Sequence, residues 1–206
     1  MSTIFLLSPA RCDGRRAKIL LSPKAAFELA ERIRTPTGAP IGETFAFLSG
    51  LYFRGKLAYA HAFGRHRAGG PSAFVITTDR GLVTTDTQVT RDDLLAFAGV
   101  DLATAGERYV APLERDITRL AADATSRFVL LGSIATGKYA DALTRVLSDR
   151  LLFPIDFVGR GDMSRGGLLL RCVAEGKELE YAPVLGAVRK GKRPAKLAPL
   201  PKKQKG

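Results

Sequence analysis

The stretch FVGRGDMSRGGLLLR, residues 157–171, holds the densest set of groups in the chain that could grip an anion. Arg160, Arg165 and Arg171 stand among Gly159, Gly161, Gly166 and Gly167, and the run then turns apolar at Leu168, Leu169 and Leu170. A guanidinium offers paired N–H donors to phosphate or carboxylate, and glycines let a ligand approach the backbone closely. Asp162 or Ser164 is a natural N-cap for a helix carrying the leucines. The start of such a helix adds free backbone N–H groups and partial positive charge. Two readings follow. Either Arg160 and Arg165 clamp an anion at that terminus, or Arg165 pairs with Asp162 or with the body and fastens the last helix.

A second segment, GSIATGKY (132–139), comes close to the phosphate-loop pattern G-x-x-x-x-G-K-[ST] at Gly132, Gly137 and Lys138. Tyr139 replaces the Ser or Thr whose hydroxyl would hold magnesium, and a phenol cannot take that position in the same geometry. A plain glycine-containing strand-to-helix turn therefore competes with a phosphate site. His61 and His66 flank a glycine-rich turn with no convincing carboxylates nearby in sequence, and read as exposed loop histidines rather than metal ligands. No metal and no other cofactor is expected. The Arg-Gly-Asp tripeptide at 160–162 reads as chance. No G-x-S-x-G element is present, while a Ser/His/Asp triad stays open, because its members are adjacent only in space.

These residues need elements to position them. TIFLLS (3–8), SAFVITT (72–78), RFVLLGS (127–133) and DRLLFP (149–154) are short apolar runs without helical period and read as strands. PKAAFELAERIR (23–34), ETFAFLSGLYFRGKLAYAHAF (43–63), RDDLLAFAG (91–99), TAGERYVAPLERDITRLAADA (104–124), TGKYADALTRVLS (136–148) and MSRGGLLLRCVAEG (163–176) read as helices. In the second of these, Phe47, Leu51, Leu57 and Ala58 are expected on one face, with Gly50 and Gly55 as interruptions. Pro112 should kink or start the fourth. DRGLVTTDTQV (79–89) reads as a long polar loop. Strands alternating with helices predict one α/β domain with a mostly parallel or mixed sheet and helices on both faces. Ligands in such sheets bind beyond the carboxyl ends of the strands. The segments SPARC, TTDRGLV and GSIATGKY fall there.

The chain has 206 residues and a net charge of +12, unevenly spread. Residues 189–206 contain eight basic side chains and no acid, leaving 24 basic and 20 acidic residues elsewhere. The expected division is an α/β domain over 1–187 and a basic, proline-containing, disordered tail over 188–206. Arg189, Lys190, Lys192 and Arg193 open that tail, which would attract a phosphate backbone without reading sequence or act as a solvated end. Cys12 and Cys172 show no CxxC spacing, so neither a disulfide framework nor a zinc site is suggested. The short apolar run Ile4–Leu7 is not a signal peptide and no stretch is long enough to span a bilayer. A cytoplasmic protein without a membrane partner is expected.

Several motifs carry a family resemblance. Ser8, Pro9, Ala10 and Arg11 resemble the Ser-Pro-Ala-Lys element that follows the first strand of the YaaA peroxide-stress family, with Arg11 in place of the lysine. Arg160, Gly161, Met163, Ser164 and Arg165 are similar to its C-terminal Arg-Gly-x-Met-Ser-Arg segment. Ser133 and Tyr139 are similar to the Ser and Tyr that follow one of its strands, and the order of elements resembles a group of related uncharacterised bacterial α/β domains. The resemblance implies a compact α/β fold, association with DNA in a stress or repair setting, and one cleft where the three segments meet. It supplies no catalytic residue.

The functional expectation is an association with nucleic acid, partly through the tail. Ser8, Arg11, Ser133, Lys138, Tyr139, Arg160, Asp162, Ser164 and Arg165 would form an anion-binding cleft. The alternative is an enzyme acting on a nucleotide or other phosphorylated substrate at that cleft, with Asp162 or Asp79 transferring a proton. An interaction module without chemistry is the third class.

Overall fold

TIFLL is apolar at nearly every position, and a strand of that kind belongs where both faces are covered. It forms β1 (Thr3–Leu7), buried along its whole length. The computed structural model describes residues 1–100, 106–135, 137, 139–189, 191–195 and 197. β1 pairs in parallel with β3 (Ala73–Ile76) on one side and β6 (Arg127–Leu131) on the other, and β6 pairs in parallel with β7 (Leu151–Pro154). Two short antiparallel strands close the edges: β4 (Leu82–Thr84) beside β3, and β8 (Tyr181–Pro183) beside β7. The sheet order is thus β4-β3-β1-β6-β7-β8. A separate pair, β2 (Ala39–Pro40) and β5 (Gln88–Val89), runs antiparallel.

The period of two along each strand divides the core. Phe5, Leu7, Val75, Val129 and Leu131 face the layer made by α1 (Arg15–Leu20), α2 (Glu28–Arg32), α3 (Ile41–Ser49), α4 (Leu51–Phe63), α5 (Arg91–Ala98) and α8 (Asp162–Glu175). Ile4, Leu6, Ile76, Phe128 and Leu130 face α6 (Gly106–Leu120) and α7 (Ala140–Leu147). The expected mixed α/β sheet with helices on both faces is what the chain forms.

Several local expectations need correction. The long helix over 43–63 is two helices, broken at Gly50, whose φ of 63° lies in the region that favours glycine. The break changes which side faces inward: Phe45, Phe53 and Tyr59 are fully buried, while Phe47, Leu51, Leu57 and Ala58 are only partly so. Gly55 does not interrupt α4. It lets α8 approach, since a Cβ on Gly55 would lie 2.7 Å from the Gly166 carbonyl oxygen and one on Gly166 would lie 2.6 Å from that of Leu51. The supposed polar loop over 79–89 contains two strands. Gly81, at φ 79°, turns the chain between β3 and β4. Thr90 caps α5 through a reciprocal capping box with Asp93. Pro112 lies inside α6 rather than at its start.

Candidate functional site

β1, β3 and β6 point their carboxyl ends the same way, and the segments that follow them meet in a cleft of about 930 Å³. Ser8, Arg11, Thr78, Ser133, Tyr139 and Asp162 are among its lining residues. Its volume lies in the range of small-molecule sites, roughly 300–1,000 Å³. The three segments singled out beyond the strand ends therefore share one cavity, with Asp162 contributed by the start of α8.

The floor is a buried polar network. Lys56, on α4, is 1% exposed. Its Nζ donates to the Ser8 carbonyl oxygen at 2.6 Å and lies 3.0 Å from Ser8 Oγ. It also sits 4.5 Å from the Tyr52 ring centroid and 4.6 Å from that of Phe53. Burial pushes the Lys56 ammonium down to about 7, Asp162 opposes that shift, and Arg165 adds to it. On the far side of Ser8, the Tyr139 hydroxyl accepts from the Ser133 N–H at 3.0 Å and lies close enough to Ser8 to feel its hydroxyl. Burial raises the Tyr139 phenol above its ordinary range. Tyr52, also in the cleft lining, has a buried hydroxyl with no partner among the described residues. Gly132 makes the assembly possible, because a Cβ there would lie 2.8 Å from Ser8 Cβ and 2.9 Å from the Tyr139 hydroxyl.

This geometry changes the meaning of the glycine-lysine segment. In a phosphate loop the backbone N–H groups face the ligand. Here the Ser133 amide is taken by the Tyr139 hydroxyl, and Gly137 (φ 69°) lies against the Asp141 carboxylate. Lys138 lies outside the described residues.

The other expected anion ligands are placed as follows. Arg11 is at the cleft rim, highly exposed and ion-paired with Asp13 at 2.8 Å. Arg15 and Arg16 of α1 join it on the rim, and Arg16 Nη1 donates to the Phe47 carbonyl at 3.0 Å. Arg165 is largely buried. Its Nη2 donates to the Phe157 carbonyl at 2.9 Å, and its Nη1 lies 3.6 Å from Asp162. Those are the contacts of the fastening reading. Arg160 Nη1 donates to Ser164 Oγ at 3.3 Å, while its buried Nε has no partner among the described residues. Neither arginine lines the main cleft. The N-cap of α8 is Gly161, with Asp162 as the first helical residue and Ser164 inside the first turn, so neither expected cap holds that place.

Asp79 pairs with Arg80 at 3.0 Å and is absent from the cleft lining, so of the two expected proton-transfer carboxylates it is Asp162 that lines the cleft, together with Asp13. At the tail, Arg189 pairs with Asp141 at 2.7 Å, and the backbone at Lys192 packs on Gly159. Lys192 and Arg193 are exposed, and Lys190 lies outside the described residues. Among the described residues no His, Cys, Asp or Glu cluster could hold a metal ion, and no helix is long and apolar enough to cross a membrane. Both cysteines are free and buried, and burial pushes the Cys12 thiol up to about 12.

Sequence reasoning missed Lys56 and Tyr52, the residues that give the floor its character. The pattern was visible: Tyr52, Lys56, Tyr59 and Phe63 recur at helical spacing, so the lysine stands in the middle of an apolar stripe. Compared with known proteins, the chain matches no family model, no curated protein and no solved structure.

Proposed function

We propose that the cleft binds and transforms a small anionic molecule of nucleotide size, a phosphorylated compound being the best fit. The observation that carries this reading is the shape of the charge. Arg11, Arg15 and Arg16 surround the mouth of a concave cavity whose floor is a hydroxyl and amine network. A nucleic-acid interface would instead spread its cations along an open groove to follow the phosphate backbone. The test is thermal unfolding of the full chain with inorganic phosphate, mononucleotides and short DNA. Saturating a mononucleotide at about 100 times its Kd should add about 2.7 kcal/mol of stability, and Arg11→Ser with Arg15→Ser should remove most of that gain. If no mononucleotide stabilises the protein, this reading fails.

A second reading, DNA association in a stress or repair setting, is favoured by the exposed Lys192 and Arg193 and by the concentration of basic residues after residue 188. It predicts DNA binding that weakens steeply with salt and is lost in a chain ending at residue 187.

A further inference from the structure

Lys56 does nothing for the rim and makes no ion pair among the described residues, yet it is buried against the one serine that closes β1. The structure assigns Ser8 and Lys56 as a nucleophile and its general base, acting on the ester carbonyl of an anionic acyl compound. The assignment rests on the reading of the cleft as a ligand site and specifies its chemistry.

Four observations converge on it. Ser8 lines the cleft, so its hydroxyl can meet a ligand there. Lys56 Nζ is 3.0 Å from that hydroxyl, within reach for direct proton transfer, and its 2.6 Å bond to the Ser8 carbonyl fixes the amine in place. A neutral amine can donate one N–H to the carbonyl while its lone pair takes the Ser8 proton. Burial leaves a large share of Lys56 neutral near pH 7, the condition a lysine base requires. Tyr52 lines the same cavity, and its hydroxyl is buried close to Arg165, which leaves a polar group of the protein beside the amine. Cys12, the other nucleophile type in the lining, is held as an unreactive thiol by its burial.

The step balances without redox chemistry. Ser8 Oγ bonds to the carbonyl carbon as its proton passes to Lys56 Nζ. The tetrahedral intermediate collapses, the ester C–O bond breaks, and Lys56 returns the proton to the leaving alkoxide. Water then attacks the acyl-Ser8 ester with Lys56 again accepting a proton, and Ser8 leaves as its alcohol. The sum is ester plus water giving acid plus alcohol.

A fluorophosphonate ester tests this on the full chain. It forms a bond from phosphorus to Ser8 Oγ and releases fluoride, so intact mass followed by peptide mapping reads one adduct at one residue. We expect labelling at Ser8, none in Ser8→Ala, and a rate at least about 100-fold lower in Lys56→Met. Should Lys56→Met fail to fold, the wild-type rate against pH serves instead and should rise through about pH 7, following Lys56. The groups facing that amine are Ser8 after β1, Tyr52 on its own helix, and Asp162 and Arg165 on α8, with Tyr139 beyond Ser8. No adduct at Ser8, or a rate indifferent to both Lys56 and pH, overturns the assignment. If mononucleotides still stabilise the protein in that case, the cleft reading survives alone. An adduct at Ser8 without mononucleotide stabilisation supports the dyad and removes the phosphorylated ligand.

Discussion

Lys56→Met isolates the energetics of the buried amine. The folded protein holds Lys56 at about 7 against an ordinary 10.5, chiefly through burial. Between those values the unfolded chain carries a proton on this residue that the folded protein lacks. Stability contributed by Lys56 therefore rises with pH across that window, levels off above it, and is smallest below pH 7. Each pH unit of displacement corresponds to about 1.4 kcal/mol, so the full window is worth about 5 kcal/mol. From pH 7 to pH 9 the predicted gain is about 2 kcal/mol, since half the proton is still bound at the lower limit. Methionine keeps the length of the stem and cannot titrate. Urea unfolding of both proteins at pH 7, 8 and 9 gives their stability difference at each pH, in which the titrations common to both proteins cancel. The wild type should gain on the variant by about 2 kcal/mol over that range. A flat difference would mean that Lys56 stays protonated in the fold, and the amine would then be a structural cation rather than a base.

Two further substitutions separate scaffold from site. Gly166→Ala forces a methyl group into the Leu51 and Tyr52 backbone of α4, where nothing flexible can yield. It should lose about 1–3 kcal/mol in urea unfolding, whereas Gly167→Ala, the next residue of the same helix, where a Cβ would meet only the Leu197 side chain at 3.6 Å, should lose little or nothing, and equal losses would refute the close-approach argument. Arg165→Ala removes two donors from the Phe157 carbonyl and the neighbour of Asp162. It should lower stability by about 1.5–3 kcal/mol while leaving mononucleotide affinity nearly unchanged; a loss of affinity with stability intact would restore Arg165 as a direct ligand.

What the sequence made legible follows the physics of each residue type. Continuous apolar runs located the four parallel strands, because a strand covered on both faces has little room for polar side chains. The edge strands β4 and β8 are three residues each, too short for alternation to register, and Gly81 looked like loop chemistry although it serves a hairpin turn. Loop positions beyond the strand ends correctly gathered Ser8, Ser133 and Tyr139, since topology alone brings those ends together. Arginine count was a poorer guide than arginine geometry. Arg165 looked like a ligand because guanidinium groups so often are, but a backbone carbonyl eight residues earlier satisfies it. Lysine is the reverse case. Its usual place is the surface, so Lys56 passes unnoticed in a basic chain until its neighbours at helical spacing are seen to be Tyr52, Tyr59 and Phe63. A charged residue on an apolar stripe has to find a partner inside the fold, and here the partner is the serine that ends the central strand. The same close approach that Gly55 and Gly166 permit between α4 and α8 brings Arg165 and Asp162 near enough to bias that amine in opposite directions. The glycines thus act on the chemistry at a distance: widening the gap between α4 and α8 would hydrate Lys56, raise its proton affinity, and leave Ser8 without a base.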